Sequence, residues 1–384
     1  MDQTNRKQIL YYCQSLVGVG HLTASLQIIR ELLDHSDVDL IQGGLDVGAA
    51  WAHPGFRKLR LPTILIHDQS GELYDPDGQR TLEELWIARA EKMANFLRWP
   101  YHAIVVEFFP FGRRRFKREI LDLFHKVRAR CGPVPIFTCV REVLVAEDIE
   151  TERRIAQWVT DHIHTVFIRG DAEVIRFEET FSLADLIADR LHYVGYLSPP
   201  RPPHGPARKK QILVSQGGGN VGRELLEAAI RAAPLLPDYL FLVAAGSRTS
   251  EAQINNLKNL ARSSNVQIVP FLQDFQQHLL ASALSISMGG DNTMLDVIST
   301  RTPALAFPYP GNTEQDVRIT KLALKGFVHA LSVADFPAER LRNRIEVALK
   351  APYPESAIAM NGAINMSEKI STILYSDASP RVES

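Results

Sequence analysis

Residues 285–297 read S-I-S-M-G-G-D-N-T-M-L-D-V. Ala283 to Met288 is a short apolar run suited to a buried strand. Gly289 and Gly290 break it, and Asp291, Asn292 and Thr293 offer side-chain caps to a helix expected to begin near Met294. The first N–H groups of such a helix lack intrahelical partners and its dipole favours negative charge, so the turn can take a phosphate. Asp296, which this reading places in the first turn, has two open roles. It can interact with the helix dipole, or it can accept hydrogen bonds from a ribose diol. A plain capped turn also explains the stretch, so its meaning depends on whether the pattern recurs.

The pattern recurs twice. Ile9 to Leu16 is a strand-like run followed directly by G-V-G-H at 18–21, after which Leu22, Leu26, Ile29 and Leu33 fall at helical spacing. Gln211 to Ser215 is another, followed by Q-G-G-G-N-V-G-R at 216–223 and an apolar-periodic helix from Glu224 to Ala232. Gly217 to Gly219 can offer backbone N–H groups to a diphosphate, and Arg223 can add a charge-assisted contact. The G-V-G-H turn lacks dinucleotide-fingerprint spacing, and the missing Walker lysine pattern argues against a P-loop ATPase.

Strand-like and helix-like stretches alternate along the rest of the chain. Strands are expected at Val38–Ile41, Leu61–His67, Ala103–Val106, Pro133–Val140, Ile163–Ile168 and Leu191–Leu197. In the second half they fall at Tyr239–Ala245, Val266–Phe271 and Pro303–Pro308, with a helix from Arg318 onward. The alternation implies an α/β fold with parallel sheets covered on both faces. Five prolines within Ser198–Ala207 can make neither a helix nor an inner strand. They divide the chain into a first domain over 1–197, a linker over 198–209, a second domain over 210–350 and a tail over 351–384. The tail is helical in pattern and could cross back to the first domain.

Composition limits the function classes. The chain has 384 residues, 45% of them hydrophobic and 23% charged, and a formal net charge of -1. This is ordinary globular usage, with no general attraction to nucleic acid. Three widely spaced cysteines suggest neither a disulfide framework nor a thiolate zinc site. The N-terminus has no signal-peptide run and no later segment reaches transmembrane length. The expectation is a cytoplasmic protein with at most peripheral association at the inner membrane surface.

Several residues at strand ends are candidates for chemistry, because open α/β sheets bind ligands at the carboxyl edge of their strands. His21, at a helix start, can serve as a general base or can simply cap and pack the loop. Glu107 ends a strand and can partner His21, accept a substrate hydroxyl, or pair with Arg113, Arg114 and Arg115. Asp46 reads chiefly as a turn residue, and Asp68 with Glu72 as a solvated turn. Phe271 can cover a planar base while the Leu272 backbone reads its edge, or it can be a core aromatic. Glu314 and Gln315 sit in a polar strand-end loop.

Taken together, G-V-G-H at 18–21, Q-G-G-G-N at 216–220, F-L-Q-D at 271–274, G-G-D-N-T-M-L-D at 289–296 and N-T-E-Q at 312–315 resemble a known family. They look like the GT-B-fold glycosyltransferases related to MurG and family 28. The resemblance implies two Rossmann-like domains facing a cleft, with a nucleotide-sugar donor on the second and an acceptor over the first. It places Phe271 and Leu272 at the nucleobase, and Asp296 at the ribose, where the relatives usually carry glutamate. Gly218, Gly219, Asn220, Gly290, Asp291, Asn292 and Thr293 would hold phosphate, and Glu314 and Gln315 the sugar hydroxyls. His21 matches the family's N-terminal loop histidine. That loop also resembles the loop of nucleotide-sugar hydrolases related to flagellin-sugar biosynthesis, in which the histidine is an expected base. The activity implied is metal-independent, inverting transfer from a UDP-linked sugar to a small or lipid-linked hydroxyl acceptor, with no further cofactor. Hydrolysis of the donor and non-catalytic sugar-nucleotide binding are the alternatives.

Overall fold

The computed structural model describes residues 6–16, 19–46, 48, 52–67, 70–198, 207–217, 221–246, 249–355 and 357–376. The chain forms two compact units: Met1–Ala172 with Arg176–Leu197 and Asn361–Ser384, and Glu173–Ile175 with Ser198–Met360. Most of the proline-rich stretch, over 199–206, and the end of the tail, over 377–384, lie outside the described residues.

The first unit runs β1 (Lys7–Ser15), α1 (Gly20–Leu32), β2 (Ser36–Gly44), β3 (Phe56–Arg60), the hairpin β4 (Leu65–Ile66) and β5 (Leu73–Tyr74), and α2 (Leu82–Phe96). It continues through β6 (Ala103–Glu107), α3 (Lys117–Cys131), β7 (Ile136–Arg141), α4 (Ile149–His162), β8 (Thr165–Arg169) and β9 (Leu191–Tyr193). Among the described residues its main sheet has seven strands in the order β3-β2-β1-β6-β7-β8-β9, all paired in parallel. The order reverses at β1. Successive strands run outward on one side of it, and the chain then returns to its other side with β6. This reversal opens a crevice between the carboxyl ends of β1 and β6.

The second unit repeats the plan. It contains β10 (Lys209–Ser215), α5 (Arg223–Ala232), β11 (Leu240–Ala244), α6 (Glu251–Leu260), β12 (Val266–Val269), α7 (Phe275–Ala281) and β13 (Ser282–Met288). These are followed by α8 (Asp291–Ser299), β14 (Ala304–Phe307), α9 (Thr313–Leu324), β15 (His329–Ala330) and α10 (Ala338–Lys350). Six strands pair in the order β12-β11-β10-β13-β14-β15 among the described residues, with the reversal between β10 and β13. The α/β class and parallel sheets expected from the alternation are what the chain adopts. No described helix is long and apolar enough to cross a membrane.

The last helix, α11 (Gly362–Ser376), belongs to the first unit. Its Met366, Ile370 and Leu374 join Leu22, Leu26 and Ile29 of α1 in one buried cluster. Asn365 Nδ2 donates to Val194 O at 2.7 Å. Glycine is required at 362 because a Cβ there would lie 2.3 Å from Gly195 O.

Several boundaries differ from the sequence expectation. The third strand is Phe56–Arg60, laddered onto Val38 to Gln42, and of the expected Leu61–His67 run only Leu65–Ile66 is strand, in the short hairpin with β5. Helix α8 begins at Asp291 rather than near Met294. Gly290 takes the cap position with extended φ/ψ of -63° and 144°, and Met294 N–H already bonds Gly290 O at 2.9 Å. Asp291, Asn292 and Thr293 are therefore first-turn residues and not caps, and Asp296 moves to the second turn. Helix α9 likewise begins at Thr313 rather than Arg318, capped by Asn312, whose side chain accepts from Gln315 N–H.

Behind the carboxyl end of β1 lies a buried charge network. Arg89, with a side chain 0% exposed, donates to Glu119 through Nε at 2.8 Å and Nη2 at 2.7 Å. It also donates to Pro62 O and Gln14 Oε1, while the Tyr12 hydroxyl donates to Glu119 at 2.5 Å. Burial and the adjacent Glu119 carboxylate push the Tyr12 hydroxyl well above its ordinary pKa, so it remains a donor. These bonds tie α2 and α3 to the end of β1. Removing one member leaves the opposite charge buried without its partner. Arg89→Met should cost about 3–5 kcal/mol of stability. Arg223→Met, in the half-exposed pair with Glu227, should cost less than about 0.5 kcal/mol. Urea denaturation of both variants checks this; equal losses would contradict it.

Candidate active site

The reversal point of the first sheet brings His21 and Glu107 together. His21 is the second residue of α1, following the turn after β1, and Glu107 is the last residue of β6. Because β1 and β6 pair from Ile9↔Ala103 to Tyr12↔Val106, the two side chains meet above the carboxyl edge, with Nδ1 of His21 2.6 Å from Oε1 of Glu107. Glu107 is 1% exposed and His21 18%. Phe108 follows with φ of 68° and sets its ring edge-on to His21 at 5.2 Å. Gly112 leaves room for this ring, since a Cβ there would lie 2.3 Å from Phe108 Cδ1.

Three arginines surround the pair. Arg113 donates from Nε to Gln14 O at 2.7 Å. Arg169, at the end of β8, places Nη2 3.4 Å from Glu107 Oε1. Arg141, at the end of β7, brings Nη2 to 3.8 Å from the position a Cβ on Gly20 would take. Of the run Arg113–Arg115, Arg114 instead pairs with Glu147. Arg141 and Arg169 were not among the sequence candidates, although both directly follow apolar strand runs, the signal that nominated Glu107.

The electrostatics assign proton positions. Burial lowers the pKa of His21; Glu107 works the other way, and Arg113 and Arg141 add to the lowering. Burial would raise Glu107, but His21, Arg169 and Arg113 together hold its carboxyl below the usual range. At neutral pH an ionised Glu107 thus accepts the Nδ1–H of a neutral imidazole, and Nε2 carries the lone pair. This is the arrangement of an oriented general base. Burial pushes the Cys13 and Cys139 thiols to about 12, so neither is a thiolate nucleophile.

In the second unit the two glycine turns lie side by side at the reversal between β10 and β13, where Ser215 pairs with Ser287. Gly217 has φ of 76°, and a Cβ on it would lie 3.8 Å from Thr293 Oγ1. Its N–H donates to Ser215 Oγ at 3.1 Å. Gly218, Gly219 and Asn220 lie outside the described residues, as do Gly18 and Asp68. Arg223 opens α5 and pairs with Glu227 at 2.8 Å. Gly289 packs so tightly on α9 that a Cβ would lie 2.2 Å from Ile319 Cδ1. A Cβ on Gly290 would lie 3.9 Å from Thr293 Oγ1. Asp291, Asn292 and Thr293 carry the first N–H groups of α8, and Asp291 Oδ1 lies 3.5 Å from Arg318 Nε.

The remaining candidates lie on neighbouring elements of the same unit. Asp296 accepts a hydrogen bond from Gln276 Nε2 at 2.9 Å. Burial raises its carboxyl pKa while the Gln276 bond pulls it down. Gln276 stands on α7, a helix the sequence reading did not foresee, and no sequence signal marked it. Phe271, in the loop after β12, is 61% exposed and so is not a core aromatic; Leu272 adjoins it. Gln315 Oε1 accepts the Tyr309 N–H at 2.8 Å and lies 3.7 Å from the Gly289 Cβ position. Glu314 precedes it in the first turn of α9.

Residues 212–371 match the glycosyltransferase family 28 C-terminal domain. The match spans most of the second unit and runs on into α11. The chain is 28% identical over 165 residues to the UDP-N-acetylglucosamine-N-acetylmuramyl-(pentapeptide) pyrophosphoryl-undecaprenol N-acetylglucosamine transferase of Methylobacterium radiotolerans, covering 42% of this chain and 45% of that protein. It is 25% identical over 184 residues to the enzyme of the same name from Caldanaerobacter subterraneus, covering 46% and 48%. The chain spans about half the length of the curated relatives it matches. The crystal structure of Acinetobacter baumannii MurG superposes with a TM-score of 0.58 at 12% identity, covering 96% of this chain and 99% of that one. The glycotransferase of kitacinnamycin gives 0.60 at 14% identity, covering 96% and 95%. The architecture is that of the GT-B fold.

Gln276→Ala removes the one bond that lowers the Asp296 carboxyl, so its titration midpoint should rise further. Carbon-13 NMR of the carboxyl groups against pH reads this directly, and an unchanged or lower midpoint would contradict the assignment.

Proposed function

We propose that the protein transfers a sugar from a UDP-linked donor to a hydroxyl of a small or lipid-linked acceptor, with inversion at the anomeric carbon. The observation that carries this reading is the buried His21–Glu107 contact at the reversal point of the first sheet, in a chain whose residues 212–371 match the family 28 C-terminal domain. A neutral imidazole held through Nδ1 has the lone pair at Nε2 that an acceptor hydroxyl needs.

In this mechanism the second unit holds the donor. Phe271 stacks on the base while the Leu272 backbone reads its edge, and Asp296 accepts from the ribose hydroxyls through the oxygen that Gln276 does not use. The N–H groups of Asp291, Asn292 and Thr293, with Gly290 leaving space for them, meet the diphosphate; Gly218, Gly219, Asn220 and Arg223 contribute from the neighbouring turn. Glu314 and Gln315 orient the sugar. His21 removes the acceptor proton as the acceptor oxygen bonds to the anomeric carbon and the bond to the diphosphate breaks. Negative charge grows on the leaving group at the α8 N-terminus, where fixed dipoles stabilise it without reorganising. Transfer by this route is metal-independent and passes through no covalent sugar intermediate. A lipid-linked acceptor would place the reaction at the inner membrane surface.

A thermal-shift screen against uridine, thymidine and guanosine diphosphates and their sugar conjugates, followed by mass analysis of products, tests this reading. UDP compounds should raise the unfolding midpoint increasingly with concentration; no response to any nucleotide would overturn the donor assignment. Free sugar formed without any acceptor would identify a hydrolase using the same pair on water. Protonated His21 cannot accept a proton, and its pKa lies below the ordinary 6.5. The ratio kcat/KM should therefore be flat near neutrality and fall about tenfold per unit once pH drops below that midpoint. An acid limb centred above pH about 7 would contradict the neutral imidazole.

A further inference from the structure

Glu107 creates a difficulty for the base it orients. A carboxylate 1% exposed and 2.6 Å from an imidazole favours the imidazolium form, which cannot accept a proton. Arg169 meets the same carboxylate. It crosses from β8 over β7 to reach β6, is itself 8% exposed at its side chain, and brings Nη2 to 3.4 Å from Oε1, the same oxygen that His21 contacts. An arginine keeps its proton at any working pH, so its charge at this place is permanent.

We propose that Arg169 is a positioning residue of the base: by sharing Oε1 of Glu107 with His21, it fixes the carboxylate and offsets enough of its charge that the imidazole stays neutral while aligned through Nδ1. The proposal rests on the reading of His21 as the base. Arg113 and Arg141 also lower the pKa of His21, and Arg113 also acts on Glu107, but they are placed differently from Arg169. Arg113, from the loop after β6, spends Nε on Gln14 O. Arg141, from β7, lies towards Gly20 on the His21 side. Tyr11 and Cys13 of β1 and Cys139 of β7 are kept protonated, and so uncharged, by burial. Among the described contacts, Arg169 is the cation that meets the Glu107 oxygen used by His21.

The test is the pH titration of the His21 ring by NMR in the full-length protein, with its resonance assigned by its loss in His21→Asn. In Arg169→Gln the midpoint should rise by about one pH unit, since Glu107 then acts on His21 undivided. Arg169→Lys, which retains the charge, should recover at least about half of that shift. The acid limb of kcat/KM should move with the midpoint, a change a purely structural role would not produce. Arg169→Met serves in place of Arg169→Gln if the latter does not fold. An unmoved midpoint in a folded charge-removing variant would overturn the proposal, as would an equal rise in Arg169→Lys. A midpoint that rises as expected in a protein that turns over no nucleotide sugar at any pH would support the role of Arg169 and overturn the transferase reading instead.

Discussion

In each parallel sheet the strand order must reverse somewhere if the first strand is to lie inside the sheet, and the helices then diverge at that point. Divergence leaves a crevice at the carboxyl edge that no connection fills. In the first unit the crevice lies between β1 and β6, and in the second between β10 and β13. Polar groups can stand there without disrupting a core, and the first turn of a helix points N–H groups into the space. The placement of His21, Glu107 and the two glycine turns follows from this constraint. The rest of each unit, including the α11 helix packed against α1, supports it.

The two crevices differ in chemistry. The first holds a buried carboxylate, an imidazole and three arginines, and its electrostatics determine where a proton sits. Water exclusion makes each contact there strong, which is why a single shared oxygen on Glu107 matters. The second presents the first-turn N–H groups of α8, donors of the kind suited to an anion that arrives with its own charge and leaves again. Asp296 there is a partly buried carboxylate whose pKa burial raises, and Gln276 fixes one of its oxygens. The first crevice is suited to moving a proton and the second to holding a diphosphate.

Much of this plan could be read from residue patterns. Short apolar runs ending in glycine marked the reversal points, because buried parallel strands are continuous in their hydrophobicity and the turns above them must be tight. His21 and Glu107 were nominated by strand-end position, and the structure brings them into contact. The α8 start was misplaced by three residues because Asp291, Asn292 and Thr293 suit a cap and a first turn equally, and only the extended backbone of Gly290 decides between them. Arg141 and Arg169 hold the same strand-end position as Glu107, directly after Val140 and Ile168, but a lone arginine there suggests no acid–base partner for a histidine. Gln276 and the Arg89–Glu119 pair were beyond reach, since their partners lie 20 and 30 residues away. Arg89 looks like the polar face of an amphipathic helix until folding shows it to be fully buried.

On the proposed function, donor binding and base chemistry are carried by separate units. Calorimetric titration of UDP into the wild type, His21→Ala and Asp296→Ala, with turnover of the matching sugar conjugate measured alongside, distinguishes the two roles. Asp296→Ala should lose UDP affinity. His21→Ala should bind UDP within about twofold of wild type yet lose about 10²–10⁴-fold in turnover. Loss of UDP binding in a folded His21→Ala protein, or wild-type binding in Asp296→Ala, would contradict it.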